Sequence, residues 1–131
     1  MDGAAIASER AAAIYGMNVI AREIEDNPSN FTRFFVLGKQ DSTPTGNDKT
    51  SIVFSVKHKP GALYELIKEL ATRKVNLTKI ESRPTRQKPW EYNFYLDFEG
   101  HREDAQAREA LQSIEEYALF VKVLGSYPKA K

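Results

Sequence analysis

Three short stretches of this sequence bring together groups that could hold a small ionic molecule. In His58-Lys59-Pro60-Gly61-Ala62-Leu63, a proline able to open a helix stands beside a glycine with no side chain to obstruct approach. The N–H groups of a first helical turn lack intrahelical acceptors, so they suit a carboxylate, and the helix dipole adds about 0.3–1 kcal/mol for an anion there. Asn76-Leu77-Thr78 offers a carboxamide and a hydroxyl able to read an ammonium or a carboxylate. Glu81-Ser82-Arg83-Pro84 puts an acid, a hydroxyl and a base on one segment that stops at proline. A fourth group, Thr32-Arg33-Phe34, has a hydroxyl that could assist a poor leaving group and a guanidinium that could pair with a carboxylate. Each stretch also has a plainer use: a helix start, a strand entry, surface decoration, a strand threonine beside a solvated arginine.

The elements that must position these groups follow from periodicity. Ile52, Phe54 and Val56 alternate with Val53, Ser55 and Lys57 as a strand does, and His58 to Gly61 breaks the run. Leu63, Leu66, Ile67 and Leu70 fall at i, i+3, i+4 and i+7, which predicts a helix with one apolar stripe. Asn76 to Arg83 reads as a second strand that begins next to the first-strand loop. Trp90, Tyr92, Phe94, Leu96 and Phe98 alternate through a third, and the polar loop between them makes a hairpin. After Gly100-His101, Ala107, Ala110, Leu111, Ile114 and Ala118 trace a second helix, and Leu119 to Leu124 supplies a fourth strand. The order is βαββαβ, an α+β, ferredoxin-like arrangement with both helices on one face of an antiparallel sheet. Apolar residues also fall on the other face, so a covering partner is expected, and a dimer would supply it.

Upstream, Ala4, Ala7, Ala11 and Ile14 repeat at helical spacing before Gly16, predicting a helix from Asp2 to Tyr15. Asn18 to Ala21 and the aromatic, β-branched run Phe31 to Leu37 read as strands. Such a weakly apolar helix with two strands has the look of the severed end of a larger α/β domain. The division expected is therefore residues 1–38 as a fragment, 39–49 as a linker with nothing apolar to bury, 50–127 as a complete domain and 128–131 as a tail.

Composition narrows the partners. With 19 basic and 18 acidic residues the formal net charge is +1, which gives no field to draw nucleic acid or anionic lipid. The basic loop Arg83 to Lys88 lacks the aromatic, glycine-rich signature of RNA-recognition modules that share this topology. There is no cysteine, and two histidines, His58 and His101, are too few and too separated for a metal site, so neither metal nor cofactor is expected. No apolar run approaches the roughly 20 residues that span a bilayer, so the expectation is a cytoplasmic protein with no membrane partner.

Gly61-Ala62-Leu63, Asn76-Leu77-Thr78 and Glu81-Ser82-Arg83-Pro84, in this order and spacing, resemble the ACT regulatory domain of prephenate dehydratases over roughly residues 50 to 127. In that family ACT domains pair side by side and bind phenylalanine at the pair interface as a feedback effector. The resemblance implies an L-phenylalanine site lined by Pro60, Gly61, Ala62, Leu63, Asn76, Leu77, Thr78 and Ser82 in a homodimer, with Glu81, Ser82, Arg83 and Pro84 shaping the adjoining strand. Tyr64 stands where family members often carry a small aliphatic residue, which bears on the size of the side-chain pocket. Asn30-Phe31-Thr32-Arg33-Phe34 resembles the last stretch of the same family's catalytic domain. This implies a partial site at Thr32, Arg33 and Phe34 for converting prephenate to phenylpyruvate with loss of CO2 and water. The resemblance also implies that Met1 opens a truncated chain lacking most of the active site. A stand-alone amino-acid sensor, or the regulatory domain of an aromatic amino acid hydroxylase, which carries a similar Glu-Ser-Arg-Pro element, are the alternatives.

Overall fold

The computed structural model describes residues 3–29, 32, 34–85 and 92–130, and the chain divides into two units, Met1–Leu37 and Gly38–Lys131. In the first unit α1 (Glu9–Tyr15) begins where Ser8 caps it, its Oγ accepting the Ala11 N–H at 3.2 Å, and ends at left-handed Gly16. The helix is therefore shorter than the alanine spacing predicts, because the hydroxyl of Ser8 satisfies an amide that would otherwise need another turn upstream. The strands expected at Asn18 to Ala21 and Phe31 to Leu37 are not formed by the described residues there. A strand is stabilised by a neighbour's ladder, and the described residues of this unit provide none. Asn30, Phe31 and Arg33 lie outside the described residues.

The second unit is the βαββαβ domain: β1 (Asp48–Val56), α2 (Ala62–Thr72), β2 (Leu77–Pro84), β3 (Tyr92–Glu99), α3 (Ala105–Tyr117) and β4 (Ala118–Pro128). The sheet order is β2-β3-β1-β4, every neighbouring pair antiparallel. Ile52 and Phe54 of β1 pair with Leu96 and Phe94 of β3 and, on the other side, with Val123 and Val121 of β4. These rows pack against Leu66 and Leu70 of α2 and Ala107, Ala110 and Ile114 of α3 in one core, in which the Phe54 and Phe94 rings stack at 5.3 Å. Arg73 ties the two helices, its guanidinium reaching Glu69 on its own helix and the Ser113 hydroxyl of α3.

The face opposite the helices carries both buried and exposed side chains, Tyr95 and Phe120 staying exposed beside their strand partners Val53 and Ser55. Ser51, Val53, Ser55 and Asp97 there are all buried, and the Ser51 hydroxyl bridges the Asp97 carboxylate at 2.6 Å and the Tyr127 hydroxyl at 2.7 Å.

Three boundaries differ from the sequence reading, each through polar contacts that hydropathy does not register. Asp48 and Lys49 already belong to β1, and Pro128 closes β4, which continues past the expected Leu124 through a bulge. The segment before β1 is held to the domain. Arg102 pairs with Asp41 at 2.7 Å, the Ser42 hydroxyl donates to the Ser126 carbonyl at 3.1 Å, and buried His101 bonds the Ser42 carbonyl through Nε2 at 3.0 Å. Asp48 then accepts from the Thr45 hydroxyl at 2.6 Å and from the Thr45 and Gly46 amides. Residues 86–91, which include Trp90 and half of the basic loop, lie outside the described residues.

Candidate functional site

The turn before α2 folds as its residues dictate. Lys59 N–H closes a tight turn onto the Lys57 carbonyl at 2.8 Å, Pro60 follows, and Gly61 takes φ 81° at the helix N-cap, a left-handed conformation that side chains resist. Its missing Cβ would meet nothing within 4 Å, so the space beside the glycine is open. No side chain caps this helix; the Ala62 N–H bonds the Lys59 carbonyl at 3.3 Å, which leaves the amides of Leu63 and Tyr64 as the first-turn donors beside exposed Pro60 and Gly61, with Ala62 buried and Leu63 half-buried. Donors of this kind suit a carboxylate.

The Asn76-Leu77-Thr78 stretch does not lie beside this loop. β1 and β2 both run antiparallel to β3, so they run parallel to one another with β3 between them. The starts of β1 and β2 share one end of the sheet and their finishes share the other. Gly61 follows the finish of β1, at the end where Ser82, Arg83 and Pro84 finish β2; Asn76 precedes β2 at the opposite end. The 11 residues of α2 separate Gly61 from Asn76, about 16 Å at the helical rise. The expected adjacency fails because α2 must return the chain along the sheet before a parallel strand can start. One chain thus carries the two candidate stretches at opposite ends of a helix.

Beside the second stretch is an open cleft of about 330 Å³ lined by Ile67, Leu70, Ala71, Lys74, Val75, Asn76 and Leu77. It forms where α2 ends in a Schellman turn. Lys74 N–H bonds Ala71 O at 3.0 Å, Val75 N–H bonds Leu70 O at 2.9 Å, and Lys74 itself sits left-handed at φ 58°. Asn76 is held twice by Glu99, its carbonyl accepting the Glu99 N–H at 2.9 Å and its Nδ2 donating to Glu99 Oε2 at 3.0 Å. Lys129 pairs with the other carboxylate oxygen of Glu99. These hydrogen bonds from Lys129 and then Asn76 hold the Glu99 carboxyl below its ordinary pKa. Thr78 is less available than its type suggests, since its hydroxyl donates to the Asp97 carbonyl at 3.1 Å.

On β2, Glu81 is gripped by Lys79 at 3.1 Å and by Arg83, and the Lys79 hydrogen bond followed by the charge of Arg83 lowers its pKa. Lys79, Glu81 and Arg83 alternate onto the helix-free face, whereas Ser82 pairs with Phe94 in the helix-facing rows. The Glu-Ser-Arg-Pro element therefore divides its groups between the two faces. In the first unit Thr32 and Phe34 are exposed. Glu99, Lys129 and Lys74 are the residues that sequence reading passed over. Their only signals were a charge next to a strand-ending glycine, one in an apparent tail, and a lysine where a helix stop favours glycine.

Comparison with known proteins agrees with the βαββαβ fold. The prephenate dehydratase family model matches residues 1–42 and the ACT domain model residues 50–116. A bifunctional chorismate mutase/prephenate dehydratase of Aquifex aeolicus is 53% identical over 126 residues, which cover 96% of this chain and 35% of that protein. The chain thus spans about a third of the curated relatives it matches. Among solved structures, prephenate dehydratase from Arthrobacter aurescens in complex with L-Phe is similar at a TM-score of 0.65 and 38% identity, over 71% of this chain and 31% of that one. GqqA, described as a novel type of quorum quenching acylase, is similar at a TM-score of 0.66 and 31% identity, over 72% of this chain and 48% of its own. Residues 1–42 match the prephenate dehydratase family model, and through residues 50–116 the chain belongs to the ACT domain family.

Proposed function

We propose that this chain is the L-phenylalanine-binding feedback region of a prephenate dehydratase, and that two copies assemble each effector site. The observation that carries the reading is the separation of the half-sites. A carboxylate cradle at Gly61 and a carboxamide beside an apolar cleft at Asn76 lie at opposite ends of α2, so one chain cannot close them on one amino acid. Two ACT domains packed side by side with their α2 helices antiparallel would set the Gly61 loop of one against Asn76 of the other. The effector carboxylate then rests on the first-turn amides beside Pro60, Gly61, Ala62 and Leu63, and its ammonium meets Asn76. Its ring enters the cleft near Leu77, with Thr78 and Ser82 as strand neighbours. The similarity to a dehydratase crystallised with L-Phe supports the choice of ligand.

In the whole protein the established chemistry of the family, prephenate to phenylpyruvate with loss of CO2 and water, would use Thr32 to assist the departing hydroxyl. Arg33 and Phe34 would flank the substrate. That turnover is proposed for the longer protein and not for this stretch, which we read as a dehydratase remnant (1–38), a connecting segment (39–49) held to the domain that follows, an ACT domain (50–127) and a short tail tied back by Lys129, in a cytoplasmic enzyme. The match of residues 1–42 to the dehydratase family favours this over a hydroxylase regulatory domain. Isothermal titration with L-phenylalanine tests it, with L-tyrosine and a small aliphatic amino acid as controls and light scattering to count subunits. Saturable, phenylalanine-selective heat at one site per chain in a dimer supports the reading, whereas a folded dimer that takes up no phenylalanine refutes it.

A further inference from the structure

We propose that Glu99 is a positioning residue for amino-acid recognition: its carboxylate turns the Asn76 carboxamide so that Oδ1, and not Nδ2, is presented to the ammonium of the effector. The inference rests on the two-copy site described above and adds a residue to it.

An asparagine side chain has a donor end and an acceptor end of nearly equal size, and free in solution either can face a ligand. An ionised carboxylate only accepts, so its partner must offer N–H. The Glu99 Oε2 contact at 3.0 Å therefore fixes Nδ2 toward Glu99 and leaves Oδ1 as the carboxamide atom open to a ligand. A carbonyl oxygen suits an ammonium; an N–H₂ group would repel it. The backbone reinforces the geometry, because the Glu99 amide bonds the Asn76 carbonyl at 2.9 Å and keeps the two residues in register.

Glu99 is itself held. Lys129 occupies its other oxygen and is anchored by its own N–H to the Asn47 carbonyl at 2.9 Å, which draws the end of the chain back over the start of β1. Lys129, Asn76 and the nearby charge of Lys49 keep the carboxyl ionised. Two lysines against one glutamate also prevent Glu99 from acting as the ammonium's own counter-ion, so its part is to orient its neighbour. Among the described residues that line the cleft, Asn76 alone carries a carboxamide, which can be set in two opposite senses.

The experiment compares two ligands on the full chain. L-Phenylalanine carries the ammonium, and 3-phenylpropanoate keeps the ring and carboxylate without it. Glu99→Ala is expected to weaken L-phenylalanine binding roughly tenfold, the scale of one charge-assisted hydrogen bond, while leaving 3-phenylpropanoate within about twofold. Asn76→Ala should give the same loss of discrimination, and the double variant should add little to either. Glu99→Gln keeps the size of the side chain but accepts or donates, so it should fall between. Equal weakening of both ligands in a folded Glu99 variant, or no weakening of either, overturns the positioning role even where wild-type chain binds L-phenylalanine. Failure of wild type to bind L-phenylalanine overturns the effector-site reading itself, together with this one.

Discussion

Replacing Gly61 by alanine separates the glycine's part in folding from its part in binding. The residue sits at φ 81°, where an L side chain is strained, and an added Cβ would meet no atom within 4 Å. No clash contributes, so the loss of stability should equal the backbone strain alone, about 1–2 kcal/mol. Part of it is offset because alanine restricts the unfolded chain more than glycine does. A net loss near 1 kcal/mol lowers the Tm of a domain this size by roughly 4–8 °C. The strain is present with and without ligand, so it cancels in the affinity. Any weakening of L-phenylalanine binding must therefore come from the methyl group occupying space that the ligand or the second copy needs, and we expect at least a tenfold loss, about 1.4 kcal/mol. Differential scanning calorimetry and titration of Gly61→Ala read the two quantities separately, and Gly61→Asn, better tolerated in the left-handed region, should lose less Tm. An unchanged Tm would refute the left-handed turn. A lowered Tm with unaltered affinity would mean that the open space beside Gly61 is not where the effector binds.

Three further outcomes follow from the same structure. Lys74→Gly should raise stability by roughly 0.5–1 kcal/mol, read from denaturant midpoints, because the Schellman turn holds this residue at φ 58°. Ser51→Ala removes the donor 2.6 Å from the buried Asp97 carboxylate and should destabilise by about 1–3 kcal/mol, far more than an exposed serine would. Thermal stability should also depend on acid in a fixed direction. Asp48, Glu81 and Glu99 are held below their ordinary values of 3.8, 4.5 and 4.5, Asp48 foremost by the Thr45 hydroxyl and its neighbouring amides. The unfolded chain thus takes up protons first, so these contributions are complete above roughly pH 5 and vanish as pH falls through the lowered values. Asp48→Asn should flatten that decline; a Tm that rises on acidification below pH 4.5 would contradict the sign.

How much could be read from the chain alone depends on the range of the interaction concerned. Period-two and period-3.6 patterns are local, so β1, α2, β3 and α3 follow from Ile52/Phe54, Leu63/Leu66/Leu70, Phe94/Leu96/Phe98 and Ala107/Ala110/Ile114, and with them the βαββαβ order. The Gly-Ala-Leu and Glu-Ser-Arg-Pro motifs are local too, and sufficed to indicate the family. The expected strands at Asn18–Ala21 and Phe31–Leu37 were a different matter, because a strand takes its stability from a ladder partner and residues 1–37 supply none among those described. Polar contacts between distant residues, such as Asp41 with Arg102 and Lys129 with Glu99, leave no periodic trace, so the segment before β1 and the end of the chain read as free when both are bound to the domain.

The sequence by itself determined which groups are available to an amino acid: backbone donors bared by Gly61, a carboxamide at Asn76, an apolar helix flank from Ile67 to Ala71. Only the tertiary structure decided where they stand. The reason is directional. A parallel pair of strands requires the intervening helix to travel the whole length of the sheet, and that return carries Asn76 about 16 Å from Gly61, so the two candidate stretches stand at opposite ends of the domain.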